Sequence, residues 1–209
     1  MQTSGVNWDI VNVESGVLKR GCDEGVFEPL DYARIGVSKG DFTPGAAGEC
    51  GIGSYTWAFA VAFDTSVLTT PPTGLTDMWD LQKWPGKRGL RKGPTFNLEL
   101  ALLADGVAAA DVYKTLSTPE GVDRAFAKLD KIKADVLWWE APAQAVDLLA
   151  SGNVVMTIAP NARISAAAAT GKPFKVVYNP GLVGIDFWTI PKGTPMLDDA
   201  YEFLKIATN

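Results

Sequence analysis

Apolar and polar positions follow two periods along this chain, and they divide it into strands and helices. Trp8-Asp9-Ile10-Val11-Asn12-Val13 reads as a buried strand, followed by a polar turn at Glu14-Ser15-Gly16 and a short helix through Leu18 and Lys19. Between Glu49 and Phe63 the apolar residues Tyr55, Trp57, Phe59, Val61 and Phe63 fall on every second position, the period of a strand. Pro71-Pro72 and Gly74 break the chain, and Trp84-Pro85-Gly86-Lys87-Arg88-Gly89 reads as a turn-rich loop. Thr118-Pro119-Glu120 then supplies a helix cap and a first-turn proline. After it Val122, Phe126, Leu129 and Ile132 share one helical face. Val136 to Trp139 is a short strand. Pro142 opens a helix that turns Val146 and Leu149 inward and closes at Gly152. A strand at Val154–Ile158, an alanine-rich helix at Arg163–Thr170, strands at Phe174–Tyr178 and Phe187–Ile190, and a last helix at Asp198–Thr208 complete the pattern.

Strands that alternate with helices predict an α/β fold with crossover connections. In such sheets ligands bind beyond the carboxyl ends of the strands, because loops and helix N-termini converge there. The residues to read are therefore Glu14 and Ser15, Glu140, Asn161 and Arg163, and Asp186 beside the start of the next strand.

Composition narrows the chemistry. The 209 residues contain no histidine, which removes serine- and cysteine-protease triads and the usual zinc ligands together. No activated nucleophile or acid/base pair stands at a telling spacing, so no catalytic activity is expected. A net charge of -5 disfavours nucleic acid, which needs a basic face. The run Gly86-Lys87-Arg88-Gly89-Leu90-Arg91-Lys92-Gly93 lacks the spacing and closing Lys-Ser/Thr of a phosphate loop, and its basic residues read as a solvated face. No apolar run has the roughly 20 residues of a membrane span, and no leader peptide pattern follows Met1. Two cysteines, Cys22 and Cys50, stand either as one disulfide of an exported protein or as two buried thiols of a cytosolic one.

Three clusters are candidate ligand contacts. Trp138 and Trp139 are strand neighbours and point to opposite faces, so one ring enters the core and the other is free to cover an ammonium, with Glu140 as counter-charge. Asp186 sits in an apolar stretch, Gly184-Ile185-Asp186-Phe187-Trp188, where an acid needs a partner: a ligand ammonium or a backbone cap. Asn161-Ala162-Arg163 lies between a strand and a helix start, where an arginine can grip a carboxylate with two hydrogen bonds.

The stretches Trp8-Asp9-Ile10-Val11-Asn12-Val13-Glu14, Arg20-Gly21-Cys22-Asp23-Glu24-Gly25, Glu49-Cys50-Gly51-Ile52-Gly53, Lys83-Trp84-Pro85-Gly86-Lys87-Arg88-Gly89-Leu90, Trp138-Trp139-Glu140 and Trp188-Thr189-Ile190-Pro191-Lys192-Gly193 together resemble the extracellular solute-binding proteins of the spermidine/putrescine class, with the type II periplasmic binding fold. The resemblance runs from about Gly5 to Asn209. It implies two α/β lobes with a hinge and a central cleft: lobe one from residues 1–60 and 187–209, lobe two from 61–186. It implies a Cys22–Cys50 disulfide, a periplasmic location, an ABC permease in the inner membrane as partner, a small amine ligand such as putrescine or spermidine, and no cofactor. It also implies a chain shortened at both ends, with exposed sheet edges open to self-association. Asp186 matches the family aspartate that takes a ligand ammonium. Lys92 and Phe96 stand where polyamine binders place an acid pair, and Pro160 stands where they place an aromatic. One acid and one arginine fit a zwitterion, so a 4-aminobutyrate-like ω-amino acid held by Arg163 and Asp186 is the alternative ligand. The effector-binding domain of a transcription regulator is the remote alternative, lacking the basic DNA-binding element it requires.

Overall fold

Two of the strands are long enough to run through both parts of the molecule. The computed structural model describes residues 8–208 and separates into two units. The chain passes from the first unit to the second at Thr56/Trp57 and returns at Val183/Gly184, where the sequence places these passages at 60/61 and 186/187. Asp186 therefore lies in the first unit, on the same side of the division as Glu14.

The first unit holds β1 (Val11–Glu14), α1 (Ser15–Asp23), α2 (Tyr32–Ile35), the start of β2 (Ile52–Asp64), the end of β6 (Phe174–Thr189) and α8 (Leu197–Ala207). β1 pairs antiparallel with β6, in a register that sets Glu14 opposite Asp186 and Asn12 opposite Trp188. Two apolar clusters fill this unit. One packs Tyr32, Ile35, Ile52, Ile190, Tyr201 and Leu204; the other packs Leu18, Phe27, Cys50 and Phe187. Cys22, near the end of α1, is bonded to Cys50, two residues before β2, with Cα atoms 5.8 Å apart. The cysteines therefore form the disulfide that the resemblance implies. Trp8 departs from the expected buried strand: it precedes β1 and is 67% exposed. No polar turn follows the strand either, because α1 begins at Ser15 directly after β1.

The second unit holds the rest of β2 and β6, with β3 (Arg88–Arg91), α3 (Asn97–Ala104), α4 (Val112–Leu116), α5 (Pro119–Asp130), β4 (Val136–Trp139), α6 (Pro142–Ala150), β5 (Met156–Pro160) and α7 (Asn161–Ala169). β5, β3 and β4 run parallel and adjacent, and β2 pairs antiparallel with β5. The strand order of the sheet is β1-β6-β2-β5-β3-β4. Sixteen residues of β6 form one continuous strand where the sequence suggests two.

Local chemistry explains most element ends. The Thr118 side chain accepts a hydrogen bond from the Gly121 amide, so it caps α5, and Pro119 takes the first turn. The buried stripe of α5 is Gly121, Ala125 and Leu129; Phe126 is exposed, because the small residues let α5 approach its neighbours on the adjoining face. Gly121 is the limiting case, since an added Cβ would stand 1.9 Å from the Thr115 carbonyl oxygen. α3 has no counterpart in the sequence pattern, because Leu98, Leu100, Leu102 and Leu103 surround it with apolar side chains and leave no amphipathic stripe.

The largest departure is Arg88. It is not part of a solvated basic loop but lies in β3, fully buried. Its guanidinium donates to four backbone carbonyls: Nε to Met78, Nη1 to Gly86, and Nη2 to Asp80 and Trp84. A planar group with five N–H donors can hold four loop carbonyls at once, and the burial of those donors is offset by the bonds they make. The loop from Met78 to Gly86 is wound around this one side chain. Among the described residues, no helix is long and apolar enough to cross a membrane.

Candidate functional site

The first unit brings two acids together. Glu14 ends β1 and Asp186 faces it across the ladder. The carboxylate of Asp186 is held from the side. Tyr55 Oη donates to Asp186 Oδ2 at 2.8 Å, Ser54 Oγ donates to the Asp186 carbonyl at 2.9 Å, and Asn12 Nδ2 donates to Ser54 Oγ at 2.8 Å. The chain Asn12–Ser54–Asp186–Tyr55 fixes the acid, and Tyr55 itself is exposed. Ser15 is exposed and opens α1, with Glu14 in the N-cap position.

The second unit gathers its polar groups at the carboxyl ends of its parallel strands. Arg91 ends β3 and pairs with Trp139 at the end of β4; Pro160 ends β5. The ladder continues one step further, as the Lys92 amide donates to the Trp139 carbonyl at 2.7 Å. Lys92, Glu140 and Asn161 therefore follow three adjacent strand ends, where an α/β sheet presents ligand contacts. Lys92 Nζ meets Glu140 Oε1 at 2.5 Å. Their hydrogen bond raises the lysine above its ordinary pKa and holds the glutamate below its own. Asn161 accepts from the Ala58 amide at 3.2 Å and donates to Tyr178 Oη at 3.4 Å, so it ties the start of α7 to β2 and β6. Arg163, two residues on, is exposed in the first turn of α7.

An aromatic cluster backs this end of the sheet. Trp139 is 1% exposed and stacks on Phe59, with centroids 5.9 Å apart and planes 16° from parallel. Phe96 touches both Trp57 and Phe59, at 5.1 and 4.9 Å. Of the two tryptophans, Trp139 is the core residue and Trp138 the exposed one, at 42%. The indole N–H of Trp139 is the buried side-chain donor without a hydrogen-bond partner among the described residues. Phe96 is also the non-glycine residue with positive φ, 67°, directly before α3. Asn97 braces this turn by donating to the carbonyls of Arg91 and Gly93 at 2.5 and 2.7 Å.

The structure therefore groups Glu14 and Asp186 in one unit, and Glu140, Asn161 and Arg163 at one sheet end in the other. Tyr55, Arg91 and Tyr178 join them without having been singled out. Arg91 reads as part of a solvated basic run, because the sequence pattern predicts no strand where β3 lies. Tyr55 and Tyr178 read only as apolar strand positions. Among the described residues, no group of three or more acids or cysteines is arranged to hold a metal ion.

Comparison with known proteins gives the same frame. The family model described as bacterial extracellular solute-binding protein matches residues 1–209. The gamma-aminobutyric acid-binding protein of Pseudomonas aeruginosa is 49% identical over 203 residues, which are 97% of this chain and 57% of that protein. Among solved structures, the PBP MotA of A. tumefaciens B6 in complex with glucopine superposes with a TM-score of 0.90 at 34% identity, covering 98% of this chain and 63% of that one. A structure of a GABA receptor superposes with a TM-score of 0.87 at 33% identity, covering 98% and 62%. The chain thus spans less than two thirds of the length of each of these relatives. The fold is the mixed α/β fold of the periplasmic binding proteins. The matched family is broader than the spermidine/putrescine class: this chain belongs to the bacterial extracellular solute-binding proteins.

Proposed function

We propose that this chain is the ligand-capturing part of a periplasmic solute-binding protein that delivers a short ω-amino acid, of the 4-aminobutyrate kind, to an ABC permease in the inner membrane. The observation that carries this reading is the division of charge between the two residue sets. Asp186, oriented by Tyr55 and opposed by Glu14, is a receiver for an ammonium. Arg163, in the first turn of the helix that follows β5, is a receiver for a carboxylate, which a guanidinium binds through two parallel hydrogen bonds. Exposed Trp138 and half-buried Trp57 offer apolar surface for a ligand's methylenes. The gamma-aminobutyric acid-binding relative at 49% identity supports the same ligand class.

A polyamine is the second reading. It rests on the opposed pair Glu14 and Asp186, which suits an ammonium with no requirement for a carboxylate. Calorimetric titration of putrescine, spermidine and 4-aminobutyrate separates the two. On the first reading 4-aminobutyrate binds and the diamines do not. Asp186→Asn then weakens binding at least ten-fold with the circular dichroism spectrum unchanged, and Arg163→Ala weakens 4-aminobutyrate while sparing any residual diamine affinity. Unchanged affinity in Asp186→Asn rejects the ammonium assignment. Diamine binding without 4-aminobutyrate binding rejects the ω-amino acid in favour of the polyamine.

A further inference from the structure

The residue that keeps diamines out is Lys92, we infer, and it does so by occupying the one acid at the strand ends of the second unit. This deepens the ligand reading above and rests on it. The geometry is local and specific. Lys92 and Glu140 each follow the last residue of a parallel strand, β3 and β4, whose final residues Arg91 and Trp139 are paired in register. The Lys92 backbone is fixed by its amide bond to the Trp139 carbonyl. The Glu140 backbone is fixed by its amide bond to Gln144 Oε1 at 2.8 Å, and Gln144 accepts also from the Ala141 amide at 2.9 Å. Both side chains thus project from anchored positions one strand spacing apart and meet at 2.5 Å.

The consequence is electrostatic. At this sheet end Lys92 and Arg163 are cationic, and Glu140 is the acid that Lys92 meets. A diamine at this sheet end needs an acidic acceptor for an ammonium. Glu140 is the residue of the right charge, and Lys92 already holds it. The same lysine adds to the positive field that favours a ligand carboxylate. Lys92 therefore acts twice on the discrimination, against a second ammonium and for a carboxylate. The raised lysine and lowered glutamate titrations agree with a pair that stays charged throughout neutral pH. Specificity built by setting a like charge against the wrong ligand, rather than by improving the fit of the right one, is a general device.

The experiment is a set of titrations of the full chain with putrescine and with 4-aminobutyrate. The proteins are wild type, Lys92→Met, Glu140→Gln and the double variant. Methionine keeps the length of the lysine stem and removes its charge. Lys92→Met is expected to raise the ratio of putrescine to 4-aminobutyrate affinity by roughly three- to ten-fold. That is the scale of one unit charge changed at an exposed, strongly screened position. The double variant is expected to fall back toward the wild-type ratio, because it removes the unmasked acid, and this return isolates the pair from any general effect of Lys92. An unchanged ratio in Lys92→Met, with melting temperature preserved, overturns the proposal. So does a raised ratio that persists in the double variant. Wild-type affinity for 4-aminobutyrate reports separately on the ligand reading. If it is absent while Lys92→Met still gains putrescine binding, the ligand reading falls and the role of Lys92 stands.

Discussion

Replacing Arg88 by methionine tests whether one buried guanidinium organises the loop from Met78 to Gly86. The side chain is fully buried and makes four bonds of 2.7 to 3.2 Å to backbone carbonyls. Hydrogen bonds to a charged donor contribute about 1.5–3 kcal/mol each, so four have a gross value of roughly 6–12 kcal/mol. Removing a guanidinium from water costs several kcal/mol in return. Methionine fills much of the volume but leaves the carbonyls of Met78, Asp80, Trp84 and Gly86 without their donor. The expected net loss is about 3–5 kcal/mol, the range seen when one side of a buried charged contact is removed. With a urea m-value near 2 kcal/mol/M, that moves the unfolding midpoint by roughly 1.5–2.5 M. Tryptophan fluorescence is a direct probe, because Trp84 is buried beside this loop and donates its indole N–H to the Thr70 carbonyl at 2.8 Å. Arg88→Lys retains the charge but not the planar fork, and is expected to recover only part of the loss. If Arg88→Met unfolds within about 0.3 M of wild type, the carbonyls are satisfied some other way and the reasoning fails.

Two further outcomes follow from the same structure. Reduction of the Cys22–Cys50 bond, whose cysteines are 28 positions apart, is expected to lower stability by about 3–4 kcal/mol on the chain-entropy account, read as a fall in the unfolding midpoint on adding dithiothreitol. Wild type and a Cys22→Ser/Cys50→Ser variant with equal midpoints would contradict it. Burial raises the Glu99 carboxyl above its ordinary pKa, against the opposing pull of backbone amides and Tyr113. A raised acid is protonated more readily folded than unfolded, so its contribution is most favourable at low pH. That contribution is lost as pH rises from the ordinary glutamate value through the raised one. Glu99→Gln should therefore raise the melting temperature at pH 7 and change it little at pH 4; an equal shift at both would exclude the titration as the cause.

The parts of the fold that local chemistry decides are readable along the chain. The cap at Thr118, the prolines that open α5 and α6, and the short strand Val136–Trp139 need only neighbouring residues to specify them, whereas the strand expected at Val154–Ile158 begins two residues later, at Met156. What depends on distant partners is not readable in this way. Arg88 stands in a basic, glycine-bounded run that looks solvated, and only the closure of four carbonyls around it reveals otherwise. α3 carries leucines around most of its circumference because it is largely enclosed, so the periodicity that marks a surface helix is missing. The candidate site divides in the same manner. Arg163 and Glu140 are visible as charged residues beside strand ends, and Asp186 as an acid in an apolar stretch, although it lies inside β6. Tyr55 is not, because its link to Asp186 spans 131 positions and depends on the packing of β2 and β6. The pairing of Glu140 with Lys92 was equally hidden, since it needs the parallel register of β3 and β4.

Phe96 has a bearing on how this sequence can drift. A phenylalanine at φ 67° costs on the order of 1–2 kcal/mol relative to a residue at ease in that region. Glycine or asparagine would relieve the strain, but either would withdraw the ring that touches Trp57 and Phe59. Thermal robustness and the aromatic backing of the sheet end therefore pull this codon in opposite directions. A lineage released from the need to capture solute is free to exchange the ring for an easier backbone, whereas one still under that demand keeps a locally awkward residue.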